Sequence, residues 1–222
     1  MKNILLACPF CILFLFVGHA QNNSLGKNDP DAKKILDEVS AKIKSFKSVK
    51  ASFTLSIEDA KGKSQGVKQG NFYQKGSQYH ISITGQEIYC DGKTSWTYDK
   101  STNEVTITKV DQTVKTISPE KFFTDFYDKD FLYKLNGNVK KGAKDLQEIE
   151  LTPTDKTKTF FKVLLYIDPK TKTMYSIRSL EKNGTKYTLT INTLNGSSIV
   201  TDAQLVFDKS KYPGVDEVDL RN

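Results

Sequence analysis

From Val49 to Ile57 the chain alternates apolar or small residues (Val49, Ala51, Phe53, Leu55, Ile57) with polar ones (Lys50, Ser52, Thr54, Ser56). A period of two marks a strand with one buried and one wetted face. The pattern returns at Tyr79-Ile81-Ile83, Val105-Ile107, Phe161-Val163-Leu165-Ile167 and Tyr187-Leu189-Ile191. Between the runs, Asp91-Gly92, Asn136-Gly137 and Asn183-Gly184 tolerate the positive φ of tight hairpins, and Asp168-Pro169 and Asn195-Gly196 mark further turns. No helical crossover separates the strands before the middle of the chain, so an antiparallel meander is expected. A sheet of this kind must hide one whole face. What covers that face, protein or cargo, is the functional question.

Two stretches break the strand pattern. Asp29 or Asp31 can cap a helix running to about Ser45, with Ile35, Leu36, Val39 and Ile43 at helical spacing. A second helix is predicted over Ser118–Tyr127, where Ser118 suits the N-cap, Pro119 the first position and Glu120 the positive end of the dipole. It carries Phe122, Phe123, Phe126 and Tyr127. Such a helix either closes the core of the sheet or acts as a lid whose aromatics touch a guest.

Residues 1–20 read as a secretory signal: Lys2, an apolar run from Ile4 to Val17 too short to span a bilayer, then Gly18-His19-Ala20 before a cut at Gln21. Residues 21–30 form a polar, flexible leader, and 31–222 a single domain. Cleavage removes Cys8 and Cys11, so Cys90 is left without a disulfide partner and the fold must stand on packing. Cys90 alternates with Ile88 and is expected to be a buried, inert thiol. The formal charge of +7 falls to +6 without Lys2. Its lysines (Lys50, Lys68, Lys109, Lys162) are scattered on outward strand positions, which describes a solvated surface better than a nucleic-acid site.

Catalytic chemistry is sparse. His80 is the only histidine left after cleavage, and no HExxH or CxxC pattern occurs, so no metal or other cofactor is expected. Gly62-Lys63-Ser64-Gln65-Gly66 matches the nucleophile-elbow string but sits in a polar stretch that reads as a hairpin turn. His80 lies opposite Tyr79 and Ile81 in the alternation and is expected to face solvent. Glu58, Glu148 and Glu150 are placed on the wet side too, and Asp216, Glu217 and Asp219 have no partner at telling spacing. Binding without catalysis is therefore the expected activity.

Several short pieces in a fixed order resemble the LolA family, the periplasmic carriers of outer-membrane lipoproteins. They are Ser45-Phe46-Lys47-Ser48-Val49-Lys50-Ala51-Ser52-Phe53, Gly70-Asn71-Phe72, Asp91-Gly92-Lys93-Thr94-Ser95-Trp96-Thr97-Tyr98, Ile149-Glu150-Leu151-Thr152-Pro153 and Tyr212-Pro213-Gly214-Val215-Asp216. The resemblance runs from about Asp31 to Leu220. It implies a mainly β fold: an unclosed antiparallel half-barrel with helices over its mouth and an apolar cavity for acyl chains. It also implies an inner-membrane ABC transporter of the LolCDE type as donor, an outer-membrane acceptor, and a monomeric periplasmic shuttle. The family's Arg-Pro after the second strand is replaced here by Gln74-Lys75-Gly76-Ser77-Gln78. Lysine lacks the planar fork of arginine, so that latch does not carry over.

The expected cavity lining is Phe53, Leu55, Ile81, Trp96, Phe122, Phe123, Phe126, Leu165 and Leu189, residues that strand alternation equally assigns to ordinary core. Transfer would follow relative affinity, with no bond made or broken. A lipid sensor, or a carrier of another acylated molecule, is the alternative, and a hydrolase using Ser64 or His80 stands behind both.

Overall fold

The computed structural model describes residues 28–110 and 130–221. The expected signal, most of the leader, and the Ser118–Tyr127 helix with Phe122, Phe123 and Phe126 lie outside them.

Helix α1 spans Pro30–Lys44. Of the two candidate caps the structure uses Asp29, whose carboxylate accepts from the amides of Asp31 and Ala32 at 2.9 and 3.3 Å. Pro30 enters the first turn and Lys42 and Lys44 occupy the last, as the dipole favours. Ala32, Leu36, Val39 and Ile43, three or four residues apart, are its buried apolar stripe.

The strands are β1 (Val49–Glu58), β2 (Ser64–Lys75), β3 (Gln78–Ile83), β4 (Gln86–Cys90), β5 (Thr94–Asp99) and β6 (Glu104–Lys109), then β7 (Phe131–Lys141), β8 (Lys144–Pro153), β9 (Phe160–Asp168), β10 (Thr173–Glu181), β11 (Lys186–Asn195) and β12 (Asp216–Asp219). They make one 12-stranded sheet in the order β12-β6-β5-β4-β3-β2-β1-β11-β10-β9-β8-β7. The two end strands do not meet, so the sheet is an open half-barrel. Every pairing is antiparallel except β12, which adds in parallel to β6. That exception lies outside the meander expectation: four residues reading Asp-Glu-Val-Asp carry no apolar alternation.

Asn136-Gly137 is not a hairpin. Gly137 has φ +106 inside β7, where the pairing with β8 shifts register between Leu135 and Gly137. The positive φ serves a bulge, which needs the same backbone freedom as a turn. The hairpin falls later, at Lys141 to Lys144 around Gly142.

Residues paired across strands share a face. The inner face lies under α1, with Leu36 and Val39 packed into a cluster with Phe131, Tyr133, Ile149, Leu151, Val163, Leu165 and Ile177. A second cluster on the same face joins Val49, Ala51, Phe53, Phe72, Tyr79, Ile81 and Cys90. Cys90 is buried as expected, its sulfur accepting from Gly92 N–H at 3.3 Å. The outer face over β7–β11 is mostly polar, with Leu132, Leu164 and Tyr166 set among Thr152, Glu148, Glu150, Ser176 and Arg178, and it turns apolar over β4–β6. There residues 196–215 return as a strap, and Val215, Phe207 and Tyr212 pack on Trp96, Tyr98, Val105 and Ile107. In β4 both faces are apolar, with Ile88 and Cys90 inward and Tyr89 outward, whereas in β5 and β6 the apolar positions turn to the strap and the inner positions in line with Ile88 and Cys90 are Ser95, Thr97, Thr106 and Thr108.

Candidate functional site

The rows of the inner face follow from register. Leu55 pairs with Leu189, Leu189 with Ile177, Ile177 with Leu165, Leu165 with Ile149 and Ile149 with Leu135, an apolar band across six strands. The next row runs Ile191–Phe53–Gly70–Ile83. At the α1 end the band is closed: Leu165 and Ile149 are fully buried. Between the two clusters it opens. Leu55, Ile57, Leu189 and Ile191 on β1 and β11 are only half-buried and Tyr187 is exposed, and Ile83 and Ile88, on β3 and β4 against the second cluster, are half-buried too.

The expected lining residues thus part company. Phe53, Leu55, Ile81, Leu165 and Leu189 share the inner face, Leu165 deep under α1 and Leu55 and Leu189 on the open strip. Trp96 does not join them. It pairs with Tyr89 and Ile107, whereas Ile81 pairs with Ile88 and Ile88 with Thr97, so Trp96 lies on the outer face under the strap. Alternation within one strand cannot say which of two apolar faces belongs to which cluster; that needs the register of every strand between. Lys68 also departs from expectation, since it pairs with Leu55 and so lies on the inner face where β2 overhangs β3.

Gly70 is what lets Phe53 lie across the sheet. A side chain on Gly70 would run into the Phe53 ring, and would meet the Ser82 carbonyl oxygen at 2.7 Å. The ring occupies the position a β2 residue would otherwise fill. Toward the other end, a groove of about 340 Å³ runs between α1 and the sheet, floored by Ile35, Val39, Leu135 and Ile167 and rimmed by Lys34, Glu38 and Lys172. Ligand pockets commonly range over about 300–1,000 Å³, and this groove lies at the lower end of that range.

On the outer face the polar groups converge on Glu87. Its Oε2 accepts from the hydroxyls of Tyr89 at 2.8 Å and Tyr212 at 2.9 Å, and its Oε1 pairs with Lys100 at 2.8 Å. Burial pushes this carboxyl up, but Lys100 and the two hydroxyls outweigh it and hold the pKa down to about 2. Burial against the same carboxylate pushes the Tyr212 phenol up to about 12. His80 does not face solvent. Its ring stacks on Tyr89 at 4.0 Å and 7°, and on Tyr73 at 5.7 Å. Alternation places it correctly on the outward side, but the strap covers it.

Nucleophilic catalysis finds no support in these positions. Ser64 opens β2 as the end of a hairpin organised by Asp59, which accepts from the amides of Lys61 and Lys63 at 2.9 Å. His80 pairs with Tyr73, nine positions further along β2, or roughly 30 Å at the rise of a strand. No group of three or more His, Cys, Asp or Glu suited to a metal ion occurs among the described residues. The acidic C-terminal cluster is partnered after all: Asp219 with Arg221, Glu217 with Lys209. Lys75, standing near the position of the family arginine, pairs with Asp202 of the strap at 2.7 Å.

Asn103 belongs to none of the sequence motifs. It has φ +52, accepts from Tyr98 hydroxyl at 2.9 Å, and donates through Nδ2 to the carbonyls of Pro213 and Gly214 at 3.3 and 2.9 Å. It therefore docks the Tyr212-Pro213-Gly214-Val215-Asp216 piece before β12. Asn among non-glycine residues tolerates that backbone, which is the one signal its sequence position offers.

The family described as "Outer membrane lipoprotein carrier protein LolA" matches residues 44–208. No curated protein matches the sequence. Among solved structures, an uncharacterized conserved protein from Thermus thermophilus shares 14% identity, with a TM-score of 0.58, over 85% of this chain and 99% of its own. A LolA superfamily protein from Nitrosomonas europaea, 16% identical, is similar over 80% of this chain and 98% of its own, with a TM-score of 0.43.

Proposed function

Because the chain belongs to the LolA family, we propose that it is a periplasmic carrier that shelters lipoprotein acyl chains against the inner face of its open sheet. The observation that carries this reading is the half-buried strip of Leu55, Leu189 and Ile191 on β1 and β11 between two buried clusters, with Ile83 and Ile88 half-buried beside the second. A half-buried apolar strip of this kind on the inside of an open half-barrel is suited to a transient guest. Each buried methylene is worth about 0.8 kcal/mol, so a 16-carbon chain represents about 12 kcal/mol against exposure to water. Contacts of this type demand little directionality, and a guest held by them passes on by relative affinity.

In this scheme an inner-membrane ABC transporter of the LolCDE type loads the monomeric carrier and an outer-membrane acceptor unloads it. Phe122, Phe123 and Phe126 complete the lining together with Phe53, Leu55, Ile81, Leu165 and Leu189. Trp96 is left out of it, because it lies beyond the sheet. The test is recovery of the carrier from periplasm followed by mass spectrometry of what comes with it. Triacylated proteins support the scheme. Free lipid alone would shift the reading to a sensor or a carrier of another acylated molecule, and an empty protein after membrane-detergent exchange would end it.

A further inference from the structure

We infer that the strap over residues 196–215 is an acid-releasable cover, with His80 as its trigger. The geometry of the contact is specific. Nε2 of His80 is buried, faces Glu87 Oε2 at 3.4 Å, and makes no hydrogen bond. The same Oε2 already accepts from Tyr89 and from Tyr212, the latter a strap residue. On the other side, the backbone of Gln204, also in the strap, reaches the imidazole. One ring thus touches the sheet and the strap at once, and the acceptor it faces is the one that anchors the strap.

With the imidazole neutral, Oε2 is shared by two hydroxyls. A proton on Nε2 makes a third and charged donor to the same oxygen. Glu87 then turns toward His80, and Tyr212 exchanges the carboxylate for the Tyr89 hydroxyl, 2.9 Å away, while its ring stays packed against Phe207 and Tyr98. A half-buried phenol that trades a carboxylate for a neutral acceptor loses the stronger of its bonds to the sheet, so the strap loosens and lifts. The charged and titratable groups around the ring are Tyr73 from β2, Glu87 and Tyr89 from β4, Lys100 from the turn after β5, and Tyr212 from the strap. Lys100 opposes the proton and Glu87 favours it. Burial is the larger influence, and it holds the imidazole below its usual range in the closed form. A group whose pKa is lowered by closure contributes to closure above its free pKa of 6.5, and that contribution falls away as pH drops below it. The opening equilibrium then rises by up to about tenfold per pH unit until the lowered pKa is reached.

The chain holds a single tryptophan, Trp96, packed against the strap cluster, so its emission reads the cover directly. Emission and acrylamide quenching are followed from about pH 7.5 to about 5.5, across the ordinary histidine range, with far-UV circular dichroism in parallel. Wild type is expected to shift to the red and to quench more strongly at the acid end, with an unchanged β signal. His80→Phe, which keeps the stack between two tyrosines, is expected to show neither change. If His80→Phe does not fold, His80→Gln takes its place, and hydrogen exchange of wild type compares the strap with β8 and β9. A flat wild-type response, an equal response in the variant, or exchange rising everywhere at once would overturn the inference.

Discussion

Asp29 gives one carboxylate oxygen to its own helix and the other to Leu135 on edge strand β7. Oδ1 accepts from Asp31 and Ala32, while Oδ2 accepts from Leu135 N–H at 3.0 Å. Asn28 Oδ1 accepts from Tyr133 N–H at 3.2 Å beside it, and Asp29 N–H donates to the Tyr133 carbonyl at 3.1 Å. The residues entering α1 therefore occupy the open edge of the sheet. An exposed edge invites pairing with other chains, and this contact blunts it.

Asp29→Ala removes both interactions. A lost N-cap costs about 1 kcal/mol, and an edge amide left without its acceptor adds about 1 kcal/mol. Urea unfolding is expected to show a total near 2 kcal/mol. Asp29→Asn keeps a cap oxygen and should lose less. A variant as stable as wild type would show that α1 docks by its apolar stripe alone.

Gly70→Ala is expected to destabilise although it adds one methyl group. The Cβ has the Phe53 ring and the Ser82 carbonyl in its way, and overpacking of this kind costs about 1–3 kcal/mol. In a double-mutant cycle with Phe53→Leu, part of the penalty should disappear, since one obstacle is removed and the carbonyl remains. Full additivity in the denaturation midpoints would show that the ring does not depend on Gly70.

Leu189→Asp tests the proposed guest surface apart from the core. Leu189 is half-buried, so the charge keeps access to water and the fold survives. Loss of one leucine contact, about 1.5–3 kcal/mol, is then expected to weaken acyl-chain binding roughly ten- to a hundredfold, read by displacement of a fluorescent fatty acid. Leu165→Asp, by contrast, buries a charge in a fully enclosed position and should prevent folding. Unchanged probe affinity in a folded Leu189→Asp protein would move the guest elsewhere.

Glu87 sets an acid limit of its own. Its pKa is lowered from 4.5 to about 2 by partners present only in the folded chain. The stability it contributes is complete above its free value and is lost as pH falls between those two values. Glu87→Gln should flatten the stability profile across that window while wild type declines. Parallel profiles would mean that Lys100 and the tyrosines do not hold the charge.

Asn103→Ala is expected to release β12 before the rest of the sheet. The variant loses the Tyr98, Pro213 and Gly214 hydrogen bonds and must place a Cβ-bearing residue at φ +52 without side-chain support. Backbone strain of this kind costs about 1–3 kcal/mol. Asn103→Gly should recover the backbone part only. Hydrogen exchange at residues 216–219 is the direct readout.

Much of the fold is legible in the chain because a strand with one dry face writes that face every second residue. β1, β9 and β11 are read this way without difficulty, and the helical stripe of α1 likewise. Asn136-Gly137 shows where local reading stops, since a dipeptide that supplies positive φ cannot distinguish a bulge from a turn. His80 and Trp96 show a second boundary. The alternation puts His80 on the outward side but cannot say which side Trp96 takes, and what covers each face depends on a strap a hundred residues away in sequence. Of the proposed binding strip, the apolar character of Leu55 and Leu189 is visible beforehand. Their partial exposure is not, because it depends on how far α1 reaches across the sheet.

The location of Trp96 bears on how loading can be watched. A guest taken up on the side of Leu55 and Leu189 is separated from the indole by the thickness of a β-sheet, and it leaves the intrinsic emission unchanged. Uptake must be followed with a label on the cargo, and a silent tryptophan during loading carries no information about occupancy.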